Sequence, residues 1–347
     1  MKRIALALIA AAALAALAPA QPAGDNPAPG APTEDQLKKA NLNYELDVPY
    51  AGDANPRHRL DIYISKGRMS GKIPVIVFLH GGGWAGGDKA EGAGRLLPLV
   101  RGGSYAGVAV GYRLTGEAVW PAQLHDCKAA VRWLRANAAK YGLDPDRIGA
   151  WGVDAGGHLA LMLGATGDAP ALEGSVGPHA GVSSRVSAVA NFGGATELLA
   201  IIGQPGDIDR HLETSPEALL VGGGLRENPG RSRAASPVAH ASAGDPPVLT
   251  VHGDQDMTVP HDQAERLDAA LRKAGVASYF VTVRGGGHGD FGTLADGRVK
   301  EFLDKNLKGK GGRVSTSPLV MKTAPKPKAK DAPAPKPKTD DAPAKKN

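Results

Sequence analysis

An α/β fold with a mostly parallel central sheet and helices on both faces is what this 347-residue sequence predicts. Short apolar runs alternate with stretches of helical periodicity from residue 44 to residue 307, and such alternation builds crossover units on a parallel sheet. The run 74–79, Pro-Val-Ile-Val-Phe-Leu, is apolar without a break, as a strand covered on both faces must be. Three chemically able residues, Asp154, Asp256 and His288, each follow a predicted strand. Open α/β sheets hold their sites at strand C-terminal ends.

The chain is long enough for one large domain plus appendages. Residues 1–20 read as a secretory signal: Lys2-Arg3, an Ala/Leu-rich run over 4–18, and Ala18-Pro19-Ala20 as the cleavage site. The run is short for a membrane span, and no Cys stands at the cleavage point for lipid attachment. The expected location is secreted or periplasmic. Residues 21–43, rich in Pro and Ala, read as a linker. Residues 308–347 are Lys/Pro/Ala-rich, with repeated Pro-Lys-Pro-Lys, and cannot bury a core. They are expected to form a disordered tail, either a solvated spacer or a contact to acidic polymer.

That tail carries eleven Lys/Arg against three Asp, a net +8, and Lys2 with Arg3 add +2. Subtracting both from the total of +6 leaves −4. The domain between is mildly acidic, so no nucleic-acid binding by it is expected. The single cysteine, Cys127, excludes an internal disulfide and reads as a buried helix thiol. No spacing suits a metal site, and no cofactor is expected.

In chain order, 44–48 and 59–64 alternate apolar and polar residues, as half-buried antiparallel strands do. The 74–79 strand ends in His80-Gly81-Gly82-Gly83-Trp84, and 105–112 is the next strand. Pro121 opens a helix to residue 141, in the first turn where its missing N–H costs little. Strands are predicted over 186–192, 247–251 and 277–283, and helices over 262–274 and 293–307. Residues 197–245, with Gly222-Gly223-Gly224 and several Pro, read as a small helical cap.

The remaining strand leads through Ile148-Gly149-Ala150-Trp151 into Gly152-Val153-Asp154-Ala155-Gly156, and an Ala/Leu-rich helical run follows. Strand, tight turn and helix are the setting of the G-x-S-x-G nucleophile elbow. Small flanking residues let such a turn close. Asp154 stands where that pattern has Ser.

Six pieces in order carry a resemblance. They are His80-Gly81-Gly82-Gly83-Trp84 with Gly87-Asp88-Lys89, the stretch 126–137, the elbow, Ala235-Ser236-Pro237-Val238, His252-Gly253-x-x-Asp256-x-x-Val259-Pro260, and Gly287-His288. Over 55–307 the chain resembles the secreted esterase/lipase branch of the α/β-hydrolase superfamily, and within it bacterial carbohydrate acetyl- and feruloyl-esterase-like proteins. The order Asp154, Asp256, His288 matches nucleophile, acid and base in that fold.

The resemblance implies roles. His288 would be the general base, since imidazole titrates near neutral pH. Asp256 would orient it; Asp254 is the rival acid, or else a cap for the helix near Pro260. The N–H groups of Gly82, Gly83 and Ala155 would form the oxyanion hole. Trp84 would line the substrate pocket or pack as core. His80, His158 and His252 read as structural.

Asp154 changes the chemistry. A carboxylate attacking an ester must form a mixed anhydride while expelling an alkoxide, which is steeply uphill. The helix N-terminus would keep Asp154 ionised, and that anion would sit in the oxyanion hole. Three functions remain open. One is a secreted carboxylic-ester hydrolase for small acyl esters or acylated carbohydrate, with Asp154 compensated or acting as a base. A second is an inactive relative that binds a ligand or partner. The third is Asp-nucleophile chemistry of the dehalogenase and epoxide-hydrolase kind.

Overall fold

The computed structural model describes residues 32–321, apart from 69, 168 and 290. The expected signal, 1–20, residues 21–31 of the expected linker and residues 322–347 of the expected tail lie outside these residues.

The chain runs α1 (Glu34–Lys39), β1 (Leu42–Pro49), β2 (Arg59–Ser65), β3 (Ile73–Leu79), α2 (Gly92–Val100), β4 (Ala106–Val110), α3 (Ala122–Ala136) and α4 (Ala138–Tyr141). It continues through β5 (Leu143–Val153), α5 (Ala155–Ala165), β6 (Ala188–Phe192), α6 (Pro216–Val221) and α7 (Pro229–Ala234). The last elements are β7 (Val248–Gly253), α8 (Asp262–Lys273), β8 (Ser278–Arg284), α9 (Thr293–Lys308) and β9 (Leu319–Val320). The strands form one sheet in the order β1-β2-β4-β3-β5-β6-β7-β8-β9. The β1–β2 and β2–β4 pairs are antiparallel, and every pair from β4–β3 onward is parallel. This is the predicted architecture.

The pleat divides the core. On β3, Val75, Val77 and Leu79 enter one apolar cluster with residues of α3, α5 and α8. Ile76 and Phe78 enter the other, with residues of α2 and α9. All seven residues of β3 are buried, as its unbroken apolar run requires. The full burial of a large apolar side chain here contributes about 1.5–3 kcal/mol.

Three boundaries differ from the sequence reading. The expected linker contains α1, which Thr33 starts with a capping box: its hydroxyl accepts from the Gln36 N–H and the Gln36 side chain accepts from the Thr33 N–H. Leu37 then pins that helix to the core. The expected tail also begins too early. Val314 is buried and β9 pairs with β8, so residues 309–321 still belong to the domain. Finally, α2 is absent from the sequence reading, where Pro98 and two glycines argue against a helix. Its residues Ala93, Leu96, Leu97 and Val100 are buried on one face, and that burial outweighs the proline.

The 197–245 stretch holds α6, α7 and two 3-10 turns, Ala200–Gly203 and Pro237–His240. Its α6 end reaches the loop after β3: Pro216 Cβ lies 3.4 Å from where a Cβ on Gly83 would stand.

Candidate active site

Three loops at the C-terminal ends of β3, β5 and β7, joined by the loop after β8, meet around Asp154. Between β5 and α5 the chain turns so sharply that Asp154 adopts φ 54° and ψ −121°, a conformation that costs about 1–3 kcal/mol in a non-glycine residue. Surrounding bonds hold it there. The Asp154 N–H donates to the Phe192 carbonyl at 2.8 Å, and its carbonyl accepts from the His158 N–H at 3.0 Å. A Cβ on Gly156 would lie 2.0 Å from the Leu79 carbonyl oxygen, so the elbow helix can seat against β3 only with glycine there.

The loop after β3 turns through positive φ at Gly82 (102°), Gly83 (57°) and Trp84 (58°). Its N–H groups converge on one point. Gly82 and Gly83 each donate to Asp154 Oδ2 at 2.9 Å. The donors expected to form the oxyanion hole thus hold the carboxylate of the elbow residue itself.

The other carboxylate oxygen faces His288. Asp154 Oδ1 lies 3.3 Å from His288 Nε2, an ion-pair contact without hydrogen-bond alignment. On its far side, His288 Nδ1 donates to Asp256 Oδ2 at 2.8 Å. Asp256 is buried, and its Oδ1 accepts from the Thr258 and Val259 N–H groups at 2.9 and 2.8 Å. The structure therefore brings together Asp154, Asp256, His288, Gly82 and Gly83, with Ala155 opening the helix behind them.

The electrostatics follow from this line of alternating charge. Burial disfavours a charged imidazole, but Asp154 and Asp256 outweigh it and raise the His288 pKa to about 9. At neutral pH the ring is therefore imidazolium. Burial likewise opposes ionisation of Asp154, yet the His288 contact and the Gly83 and Ala155 N–H groups hold its carboxyl below the usual range. Asp256 is held far lower: burial opposes its charge, and its contacts with His252 and His288 prevail.

Several expectations need correction. Trp84 does not line a pocket. The indole is 2% exposed, stands edge-on to His158 and donates from Nε1 to His158 Nδ1 at 3.2 Å. The run of positive φ turns it inward under α5. Asp254 does not cap α8 either; its Oδ1 accepts from the Gly285 N–H at 2.8 Å and ties the β7 and β8 loops together.

The three structural histidines are buried. His80 stacks on Tyr112 at 4.2 Å. His158 accepts at Nδ1 and donates from Nε2 to the Ala235 carbonyl, which fixes the neutral tautomer. Burial pushes the pKa of both His80 and His158 down to about 4. His252 touches the acid directly: Nε2 donates to the Val259 carbonyl at 2.7 Å and lies 3.2 Å from Asp256 Oδ2. The four-residue spacing of His252 and Asp256 is the sequence signal for that contact. Cys127 is buried, and burial pushes its thiol pKa up, so it is no nucleophile. Among the described residues, no group of three His, Cys, Asp or Glu could hold a metal ion.

The chain is similar to known esterases. The chain is 30% identical over 233 residues to the Esterase LipQ of Mycobacterium tuberculosis, covering 67% of this chain and 53% of that protein. It is 27% identical to the Esterase LipC of the same organism, covering 73% and 61%. This chain thus spans little more than half the length of these curated relatives. Among solved structures, a truncated carbohydrate esterase from gut microbiota matches with a TM-score of 0.72 at 33% identity, covering 80% of this chain and 99% of that one. A thermophilic esterase, Est2, from the planctomycete Thermogutta terrifontis matches with a TM-score of 0.59 at 27% identity, covering 78% and 95%. The BD-FAE family model matches residues 60–271 and so takes in β2 through most of α8. The chain shares its α/β-hydrolase fold with these solved esterases, and on the family match it belongs to the BD-FAE family.

Proposed function

We propose that this chain is an exported carboxylic-ester hydrolase-like protein that takes small acyl esters, acylated carbohydrate among them, at the Asp154 elbow, and that Asp154 restrains its turnover. The observation that carries the reading is the convergence of the Gly82 and Gly83 N–H groups at 2.9 Å on one oxygen, with His288 and Asp256 in line behind it. Two N–H donors aimed at one point beside a histidine–carboxylate pair suit a developing oxyanion. The esterase names of the relatives support the ester class, and the gut carbohydrate esterase supports the carbohydrate. The Lys2-Arg3 start and the apolar run over 4–18 support export.

With Asp154 in place, an ester carbonyl must displace Oδ2 to reach the donors. Acyl transfer to the carboxylate is uphill, so water has to be the nucleophile. His288, charged up to about pH 9, has no lone pair to accept a proton from that water at neutral pH. What remains is ester binding and donor polarisation, roughly 10³–10⁴-fold over water when a triad member is lost. The test is p-nitrophenyl acetate hydrolysis by the full chain, Asp154→Ser and His288→Ala. The parent should be weak and gain activity toward alkaline pH. Asp154→Ser should exceed it by about 10²-fold or more, and His288→Ala should lose the gain toward alkaline pH. An inert Asp154→Ser protein that remains folded would sink the ester reading.

One observation favours a second reading. Oδ2 is held by the Gly82 and Gly83 N–H groups while Oδ1 faces His288 Nε2. That polarity suits attack by Oδ1 on a saturated carbon: the new C–O bond forms as a C–halogen or epoxide C–O bond breaks and the leaving group takes the electron pair. Water deprotonated by a neutral His288 would then attack Asp154 Cγ and release the alcohol. Incubating His288→Ala with 1-bromobutane or styrene oxide should trap an alkylated Asp154 by mass spectrometry. An unmodified Asp154 peptide ends this reading.

A further inference from the structure

The acid loop is gripped from two sides. Its two donor peptides, 257–258 and 258–259, each present an N–H to Asp256 Oδ1 and a carbonyl in the opposite direction. The cap holds both carbonyls. The Met257 carbonyl accepts from the Asp207 N–H at 2.7 Å. The Thr258 carbonyl accepts from Arg210 Nη2. Each peptide is therefore fixed at both ends, with Asp256 at one and the cap at the other. Hydrogen bonds in such a chain also polarise one another.

Arg210 is itself aimed. Its side chain is 1% exposed, and Nε donates at 3.1 Å to Oε1 of Glu217, whose side chain is 2% exposed. Nη1 reaches the Ile208 carbonyl at 3.4 Å. Glu217 follows Pro216, the cap residue nearest Gly83. Its Oε2 is buried with no hydrogen-bond partner. A sealed ion pair with an unpaired oxygen is a poor source of stability, because desolvation offsets the attraction and apolar residues would serve as well. What the pair adds is direction, since the planar guanidinium has its donors in a rigid fork.

We infer that Arg210, aimed by Glu217, is a positioning residue for Asp256 and through it for His288, so that the cap sets the alignment of the candidate acid–base pair. This holds whichever reaction the site performs. The titratable groups against His288 are Asp154 and Asp256, with His252 behind Asp256.

The experiment is an NMR pH titration of His288 in the full chain, its signal assigned by loss in His288→Ala, for the parent, Arg210→Met, Arg210→Lys and Glu217→Gln. The sign discriminates. Removing a cation would by itself raise the His288 pKa, whereas loosening Asp256 lowers it. Arg210→Met should lower the value by about one unit or more, a tenfold change. Arg210→Lys keeps the charge but loses the fork, so it should lower the value too, and it decides the matter if Arg210→Met does not fold. Glu217→Gln keeps the acceptor for Nε and should titrate with the parent. An unchanged or raised His288 titration in a folded Arg210 variant, even one with a lowered melting temperature, overturns the inference and leaves Arg210 a brace.

Discussion

Replacing Asp154 by Asn isolates the charge arrangement at the site. The amide has the carboxylate's shape, so its Oδ1 keeps the Gly82 and Gly83 N–H groups while its NH₂ faces His288 Nε2. A donor there favours the neutral ring. In the parent, His288 rises from about 6.5 in the unfolded chain to about 9, equivalent to on the order of 3 kcal/mol. A raised folded pKa means that this stabilisation is fully present below about pH 6.5 and disappears as pH climbs through about 9. Asp154→Asn should remove half of it or more, on the order of 1–2 kcal/mol. The assay is urea unfolding at about pH 6 and about pH 10, with the His288 NMR titration beside it. Both carboxylates are ionised across that range, so the parent-to-variant difference between the two pH values belongs to His288. A His288 that still titrates near 9 in Asp154→Asn refutes the assignment of its shift to Asp154.

Three further outcomes are expected. Gly156→Ala drives a methyl to 2.0 Å from the Leu79 carbonyl and 2.4 Å from that of His80. It should cost about 3 kcal/mol or more by thermal unfolding, and a cost under about 1 kcal/mol would mean that the elbow is softer than its contacts imply. Trp84→Phe removes the donor to His158 Nδ1 and should cost about 1–2 kcal/mol while leaving acyl-chain preference in an Asp154→Ser background unchanged; an altered preference with intact stability would return Trp84 to the pocket. Truncation after Leu307 deletes the Lys308–Asp304 ion pair, Val314 and β9. It should cost about 1–3 kcal/mol, whereas truncation after Met321 should be neutral.

The fold was legible because its strongest signals are local. The unbroken apolar run of β3 states burial on two faces, and periodicity separates α8 and α9 from the strands around them. The alternation in β2 suggested one buried face, yet residues 60–65 are all buried, Asp61 by pairing with Lys89. What was missed depends on tertiary contact. Pro98 argues against α2 until β4 is there to cover its apolar face. Tail composition hides Val314 because one buried side chain does not alter a Lys/Pro-rich average. At the site, the order of the motifs that carry the resemblance pointed to Asp154, Asp256 and His288, and the three-glycine loop with the helix N-terminus implied an anion before the N–H donors. The Arg210–Glu217 pair had no such signal: its residues sit in a stretch without periodicity, and its meaning lies in which carbonyl the guanidinium holds.

Asp154→Ser carries a last consequence that separates stability from activity. In the parent, two N–H donors in a strained loop find a charged acceptor at 2.9 Å, and an imidazolium finds two carboxylates. Charge-assisted bonds of this kind contribute about 1.5–3 kcal/mol each. Serine reaches neither the donor pair nor a charge balance for His288, and water fills the vacated point only in part. The elbow strain, about 1–3 kcal/mol, remains in both proteins. Asp154→Ser should therefore be less stable by about 2–4 kcal/mol near neutral pH, although its His288 is now free to act as a base. Urea unfolding and p-nitrophenyl acetate turnover on the same preparations measure both sides. If Asp154→Ser hydrolyses the ester and is as stable as the parent, the carboxylate is not what satisfies the glycine donors. If it is active and less stable, the parent's Asp154 is an internal ligand of the site that substrate must displace, and binding of acyl esters to the parent should weaken as Asp154 is held more tightly by a charged His288, that is, below about pH 9.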